Sequence, residues 1–245
     1  MRMLNFAKRN FKELIRDPLS LVFQIALPIF LLFIFQQFNI PAENYKLENF
    51  TPGIILFGFS FVSLFTATLI SKDRSSSLLI RLGTSPMKSS DYILGYIISL
   101  IPIIIIQDIL FFVVACLLGL NFSINIIFTI LISMIVSILF IALGILIGSL
   151  VSERGTGGIG SIVVQLVCFT SGMYFPKESV GKVFAKTKIC EILPFESCLN
   201  IIKGILNNNL DIISTRNIIV FLLYTIVVLI ISIIVFKKKM ISDNK

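Results

Sequence analysis

The chain has 245 residues, of which 56% are hydrophobic and only 14% charged, and its mean hydropathy is +1.00. A soluble domain averages about 45–50% apolar and about 25% charged residues, so this composition excludes an ordinary soluble protein and predicts an all-α integral membrane protein with a single domain over residues 1–245. The lack of histidine excludes histidine triads and histidine metal sites. In a soluble protein a net charge of +8 would suggest a nucleic-acid partner, whereas in a membrane protein the distribution of the cations between the two sides of the bilayer is informative.

Residues 1–17 are predicted to form an amphipathic helix at the membrane interface. Its apolar residues recur at steps of three and four: Met3, Leu4, Ala7, Phe11, Leu14 and Ile15. Its other face is polar: Arg2, Asn5, Lys8, Arg9, Lys12, Glu13 and Arg16. These cations would meet anionic headgroups of membrane lipid, and Asp17-Pro18 would turn the chain into the bilayer. A simple anchor without partner contacts is an equally good interpretation.

Six apolar runs are long enough to span a bilayer. They cover residues 19–38, 51–71, 92–118, 124–151, 159–174 and 218–236. An even number of spans puts both termini on one side. The connections on that side and the termini carry fourteen Lys and Arg residues, against seven on the other side. Because such cations are retained in the cytoplasm, we expect a multi-pass plasma-membrane protein with both termini cytoplasmic.

The inward connection over residues 72–90 is the most informative loop. A short helix fits residues 75–82, and Gly83 and Pro86 would end it. Leu78, Leu79 and Leu82 are spaced to form one apolar edge. Such an edge can enter a groove on a partner or lie on the membrane surface, and spacing alone does not decide between the two.

These residues resemble the permease subunits of the type-2 family of ABC transporters. The resemblance rests on four segments in the family's order: Arg16-Asp17-Pro18, Asp73-Arg74 with Leu78-Leu79, Thr84-Ser85-Pro86, and Ser171-Gly172-Met173-Tyr174-Phe175-Pro176. It implies that the inward connection docks on a separate ATPase subunit, with the N-terminal helix beside that contact. The residues implied to couple the two subunits are Leu78, Leu79, Arg81, Leu82, Thr84 and Pro86, with Arg9, Phe11 and Arg16 on the flanking helix.

The resemblance also implies the partners and the cargo. Two copies of the chain, or this chain and a related one, would pair, and ATP and magnesium would be bound by the partner ATPase. Members of the family are mostly exporters of drugs, antimicrobial peptides or lipid-like substrates. The identity of the substrate stays open. Consistent with this division of labour, the sequence has no Gly-x-x-x-x-Gly-Lys-Ser/Thr phosphate loop, and Gly155, Gly157 and Gly160 join two apolar runs, as a tight inward turn would.

Small and polar residues recur on single faces of the spans. On the fifth span Gly158, Ser161, Gln165, Cys168 and Gly172 share a face, as do Thr129, Ser133, Ser137, Gly144 and Gly148 on the fourth. Such strips permit close helix packing or line a substrate path. Asp108, beside Gln107, is the only acid deep in an apolar run, roughly 24 Å along the third span at about 1.5 Å per residue. It would act in gating or contact the substrate, or it would pair with a neighbouring hydroxyl or reach water.

The outer loop over residues 175–217 is expected to contain a short helix that starts near Pro194 and ends near Asn207. By resemblance it is a re-entrant helix before the last span, and without the resemblance it is an interfacial helix. Phe175 and Pro176 would stand at the gate. Cys190 and Cys198 share this loop and either pair or stay free thiols.

A secondary transporter driven by an ion gradient is the alternative function. It would need more buried titratable groups than Asp108 and ideally a repeat between the two halves of the chain, and the sequence offers neither. An intramembrane enzyme would need a catalytic cluster that the sequence also lacks, so the chain is expected to carry no catalytic residues, cofactor or metal of its own.

Overall fold

A computed structural model describes residues 2–38, 40–41, 43–76, 89–174 and 189–242, and every regular element in these ranges is helical. The α-helices are α1 (Arg2–Ile15), α2 (Pro18–Leu21), α3 (Leu27–Gln37), α4 (Leu47–Ser75), α5 (Ser89–Leu117), α6 (Asn125–Leu150), α7 (Glu153–Thr170), α8 (Ile189–Ile192), α9 (Pro194–Leu206) and α10 (Thr215–Ser242). A π-helical turn (Val22–Ala26) joins α2 to α3, and 3-10 turns lie at Glu43–Tyr45 and Leu210–Ile212.

Five segments are long and apolar enough to cross a membrane, and they correspond to the first, second, third, fourth and sixth predicted spans. They are Pro18–Gln37, Leu47–Ser75, Ser89–Leu117, Asn125–Leu150 and Thr215–Lys239. The predicted fifth span lies in α7, which has 18 residues and begins with Glu153, Arg154 and several glycines. Because of this polar first turn, the mean hydropathy of α7 is lower than that of the five segments named above.

Helix α7 nevertheless runs the length of α4 in the opposite direction. At one end Ser75 donates to Glu153 (Oγ to Oε2, 2.6 Å), and at the other end Met173 lies against Gly53. Gly172, with φ of 80°, ends α7 in the left-handed region that glycine adopts without strain. Helix α7 is therefore packed alongside a membrane-spanning helix over its whole length, although its composition is less apolar.

The end of the bundle that holds α1, the last residues of α4 and the first residues of α5 is called the terminal end below. The C-terminal part of α10 also lies there, because the Phe236 ring is 6.4 Å from the rings of both Tyr92 and Tyr96. Helix α4 is the central helix, and most of its residues are buried against its neighbours. The opposite end is called the far end.

The predicted N-terminal helix is confirmed as α1, but its buried face is turned relative to the prediction. Phe6, Ala7 and Leu14 are buried, whereas Leu4 and Ile15 are 56% and 49% exposed. The Phe6 ring packs edge-on against Tyr92 and Tyr96, with centroids 5.4 and 5.1 Å apart. Helix α1 thus packs on α5, because aromatic contacts with the protein compete with the lipid interface for its apolar side.

The small-residue strip of the fourth predicted span is a helix-packing surface. A Cβ atom built at Gly144 would lie 2.5 Å from the carbonyl oxygen of Ser63, and one at Gly148 would lie 2.6 Å from that of Ala67. Helices α4 and α6 therefore meet backbone to backbone at these two glycines. On the fifth predicted span Gly158, Ser161 and Gln165 face outward, whereas Cys168 of the same strip is buried. A Cβ atom at Gly157 or Gly158 would meet nothing within 4 Å.

The helix predicted in the outer loop is confirmed as α9. Its first turn reaches into the bundle, where the Phe195 and Phe140 rings are 5.9 Å apart. Its last turn lies at the far end, where Asn125 donates to the Leu206 carbonyl (3.4 Å) and Asn207 donates to Asn49 (3.2 Å). In the described part of the chain no disulfide joins Cys190 to Cys198, so the pairing alternative is wrong.

Candidate functional site

The terminal end holds a compact group of charged side chains centred on Asp73. Arg9 of α1 donates through Nη1 to Asp73 Oδ2 (2.9 Å), and its Nη2 lies 2.8 Å from Asp73 Oδ1. Arg9 Nη2 also pairs with Glu13 (2.5 Å), and the Tyr96 hydroxyl of α5 donates to Asp73 Oδ2 (2.8 Å). We call Arg9, Glu13, Asp73 and Tyr96 the ion cluster. It joins α1, α4 and α5 at one point.

Local packing explains why the ion cluster forms. Phe6 lies one turn before Arg9 on α1, and its contacts with Tyr92 and Tyr96 hold this face of α1 on α5. Gly95 makes the contact possible, because a Cβ atom there would lie 2.6 Å from Cδ1 of Phe6. The arrangement brings Arg9 to the last turn of α4, where Asp73 points inward.

The ion cluster is partly shielded from water. The Asp73 side chain is 1% exposed and that of Arg9 is 37% exposed. Burial lowers the pKa of Arg9, but the hydrogen bond to Asp73 and the negative charges of Asp73 and Glu13 outweigh it. The pKa of Arg9 is therefore raised, and the guanidinium stays charged beside a buried carboxyl group.

Further polar contacts tie the remaining helices together at the terminal end. Glu13 pairs with Lys72 (3.1 Å). Arg74 donates to the carbonyl oxygens of Gly148 (3.0 Å), in the last turn of α6, and of Val151 (3.3 Å), which caps that helix. These contacts and the ion cluster surround the last turn of α4. The described part of this helix and its cap ends at residue 76, where the connection to α5 begins. Motion of the connection to α5 would act on α1, α4, α5 and α6 at this point.

The predicted coupling residues Leu78, Leu79, Arg81, Leu82, Thr84 and Pro86 lie outside the described residues, so their role stays a prediction. On the flanking helix, Arg9 is a member of the ion cluster. Phe11 is half-buried against the core, and Arg16 is exposed just after α1. The structure thus places Arg9 in direct contact with the helix that leads into the connection.

A second polar group lies inside the bundle, where α5 meets the first and fourth spans. Gln24 of the π-helical turn donates to Gln107 (2.9 Å), and Ser133 of α6 hydrogen-bonds to Asp108. Gln107, Asp108 and Ser133 are fully buried, and Gln24 is nearly so. We call these four residues the buried polar cluster. Asp108 is thus paired with a neighbouring hydroxyl and does not reach the surface.

The hydrogen-bond pattern around Asp108 suits a neutral carboxylic acid. The single hydroxyl proton of Ser133 lies between two acceptors, Asp108 and the Ile130 carbonyl (2.7 Å). A protonated Asp108 can donate through Oδ2 to Ser133 while Ser133 donates to Ile130, so that each of these three oxygen atoms has a partner. Among the described residues, no Lys or Arg forms an ion pair with Asp108, and a buried charge without a partner is costly.

Two other residues predicted to line a path lie elsewhere. Ser161 and Gln165 are exposed on the outward face of α7, in a shallow cavity of about 320 Å³ with Ile162 and Phe169. They do not meet Gln107 and Asp108, which are enclosed by the other helices. Phe175 and Pro176 lie outside the described residues.

Sequence reasoning missed three members of these two clusters. Tyr96 follows Tyr92 by one helical turn, and that spacing was a usable signal for a shared contact face. Gln24 is a lone amide in an apolar run, which also marks a position that needs a partner. Asp73 was noted only as part of the family pattern. In the described ranges, no three His, Cys, Asp or Glu side chains are grouped so that they could hold a metal ion.

The comparisons with known proteins agree with the resemblance. The sequence model of the family described as "ABC-2 type transporter" matches residues 3–207, which is most of the chain. No curated protein matches the chain significantly.

Proposed function

The chain belongs to the ABC-2 type transporter family and is therefore a permease component of an ABC transporter, and from this premise we propose that it is driven by ATP hydrolysis on a separate subunit docked at the terminal end. Members of this family are transmembrane transport components and not catalytic themselves. The partner ATPase would bind the ATP and magnesium.

The observation that carries the proposal is the position of the ion cluster. It ties α1, α4 and α5 together directly before residues 77–88, the connection whose sequence resembles the family's coupling segment. A docked ATPase that moves this connection would pull on Asp73 and Tyr96, and through Arg9 on α1. The helices would then move as one unit, because a buried ion pair resists separation.

We further propose six spans with both termini in the cytoplasm. The length of α7 along α4 supports the sixth crossing, and the excess of Lys and Arg at the terminal side supports the orientation. Helix α9, which reaches into the bundle from the far end, would be the re-entrant helix before the last span.

A second copy of this chain, or a related chain, would cover the outward face of α7. Gly157, Gly158, Ser161 and Gln165 are exposed there, and a glutamine facing lipid would leave its amide without partners. Small residues are favoured where two membrane helices approach closely. The path would then lie between the two copies. Export of drugs, antimicrobial peptides or lipid-like substrates is proposed from the family resemblance.

Charge substitution in the connection tests the proposal. We expect Leu79→Glu with Leu82→Glu to reduce the amount of ATPase subunit that co-purifies in mild detergent roughly 30-fold, since loss of apolar anchors at an interface costs about 2 kcal/mol or more. The matched control is Leu210→Glu, an exposed leucine at the far end, which should leave co-purification unchanged. If the double variant kept its ATPase and its transport rate, the proposed docking segment would be wrong.

The competing proposal is a transporter driven by an ion gradient. The buried polar cluster is the observation in its favour, because Asp108 is an acid enclosed in the bundle. A coupling ion would have to reach Asp108 from both sides in turn. The hydrogen bond between Asp108 and Ser133 explains this buried acid as a structural contact, without a coupling ion. Because the chain also belongs to an ABC transporter family, ATP-driven transport is the preferred proposal.

A further inference from the structure

A cavity of about 890 Å³ lies at the terminal end, between α1, the start of α2 and the last turns of α4. One wall is formed by α1 and the residues just after it and carries the cations Lys8, Arg9, Lys12 and Arg16. The other wall is formed by Phe65, Thr68, Leu69 and Lys72 of α4. The cavity is thus strongly positive on the α1 side and, apart from Lys72, mainly apolar on the α4 side.

The acids that line the cavity already have partners. Glu13 pairs with both Arg9 and Lys72, and Asp17 caps α2 by accepting from the Ser20 backbone N–H (3.2 Å) and hydroxyl (2.6 Å). The cavity therefore keeps an excess of positive charge.

Three of the cations that line the cavity have no carboxylate partner among the described residues. Lys8, Lys12 and Arg16 form no ion pair with any carboxylate in the described part of the chain. They follow one another at four-residue steps, so they form one stripe along α1 and the turn just after it, and they repel each other. An anion beside this stripe would relieve the repulsion.

The surroundings indicate an anion with an apolar part. Pro18 begins the first span beside the cavity, and Leu19 and Phe23 on the next turns are 66% and 42% exposed. The Phe23 ring stacks on Phe61, which stacks on Phe65 in the cavity wall (centroids 6.3 and 6.1 Å apart). An apolar surface therefore leads from the cavity toward the hydrocarbon region.

We propose that this cavity binds the headgroup of one anionic glycerophospholipid from the leaflet that surrounds α1. The phosphate lies against Lys12 and Arg16, and the acyl chains lie on Leu19 and Phe23. The ligand is a lipid rather than a soluble anion because the cationic wall and the apolar surface are continuous. The site is independent of the proposed ATPase contact, and either can fail without the other.

The test measures lipid binding by the purified protein, together with any subunit that co-purifies. Phosphatidylglycerol, phosphatidylcholine and inorganic phosphate are added separately in detergent, and retained lipid is counted by native mass spectrometry. We expect one phosphatidylglycerol to be retained and binding to weaken roughly 30-fold in Lys12→Gln with Arg16→Gln, since each cation near a membrane surface contributes about 1 kcal/mol, or about a factor of five. The matched control, Lys237→Gln with Lys238→Gln, removes two exposed cations from α10 at the same end and should change binding less than about twofold.

A second variant tests the cavity itself while its charges stay in place. Thr68→Phe would fill the space beside Phe65 and should also weaken phosphatidylglycerol binding, with circular dichroism confirming the fold of each variant. Equal retention of phosphatidylcholine, or equal binding by the Lys12/Arg16 and Lys237/Lys238 variants, would overturn the proposal. Displacement of the lipid by inorganic phosphate would identify a site for soluble anions instead. Loss of the ATPase subunit with unchanged lipid binding would identify a protein-binding surface.

Discussion

Replacing Arg9 with alanine is expected to lower the free energy of unfolding by about 3 kcal/mol. Removing one partner of a buried ion pair leaves the other charge uncompensated, which costs about 3–5 kcal/mol for a fully buried pair. Asp73 is 1% exposed, whereas Arg9 is 37% exposed, so water can reach part of the site and the lower end of that range applies. Tyr96 would be the remaining hydrogen-bond donor to Asp73.

The measurement is thermal unfolding of the purified protein in one detergent without anionic lipid. Lys8→Ala is the matched control, because Lys8 is an exposed cation on the same helix and has no ion pair among the described residues. It should change stability by less than about 0.5 kcal/mol. Adding Asp73→Asn to Arg9→Ala should restore much of the loss, since it removes the buried charge. Equal melting of the Arg9 and Lys8 variants would show that the ion cluster does not hold α1 in place.

Replacing Gly148 with alanine is expected to lower the stability by about 2 kcal/mol, although alanine is the better helix former. The added Cβ atom would lie 2.6 Å from the Ala67 carbonyl oxygen and 3.0 Å from its Cα atom. Both are backbone atoms of α4, which cannot rotate away as a side chain does. Helices α4 and α6 would have to separate, and such overpacking costs about 1–3 kcal/mol.

Gly157→Ala, measured on the monomeric chain in detergent, is the matched control for the glycine prediction, because a Cβ atom there meets nothing within 4 Å when no second copy is bound. Inside a helix, replacing glycine with alanine raises the free energy of unfolding by up to about 1 kcal/mol when the added methyl group meets no other atoms. The melting temperature should therefore fall for Gly148→Ala and rise for Gly157→Ala. A shift of the same sign and size would contradict the close approach of α4 and α6.

Hydropathy predicted most of the fold because a bilayer tolerates few alternatives to long apolar helices. Five predicted spans correspond to helices that are long and apolar enough to cross a membrane. The fifth predicted span was harder, since the polar start of α7 weakens its signal and only its packing along α4 shows that it runs the length of the bundle. Helix α9 was predicted from its proline start and its apolar spacing.

The details of the site depended on contacts between distant parts of the chain. Helical spacing gave α1 an apolar face, but only the aromatic rings of α5 explain why Phe6 is buried and Leu4 is exposed. Asp108 was placed by counting residues from the start of its span, whereas its burial depends on Ser133 of another helix. Periodicity within one segment carries no information about such partners. Asp73 and Tyr96 were missed as a pair for the same reason.

The most direct test of the central claim is purification of the tagged chain in mild detergent, followed by measurement of ATP hydrolysis and reconstitution into liposomes. The account predicts that an ATPase subunit co-purifies, hydrolyses ATP, and makes transport in the liposomes depend on ATP. A chain that purifies alone and transports on an ion gradient, with that transport lost in Asp108→Asn, would contradict it.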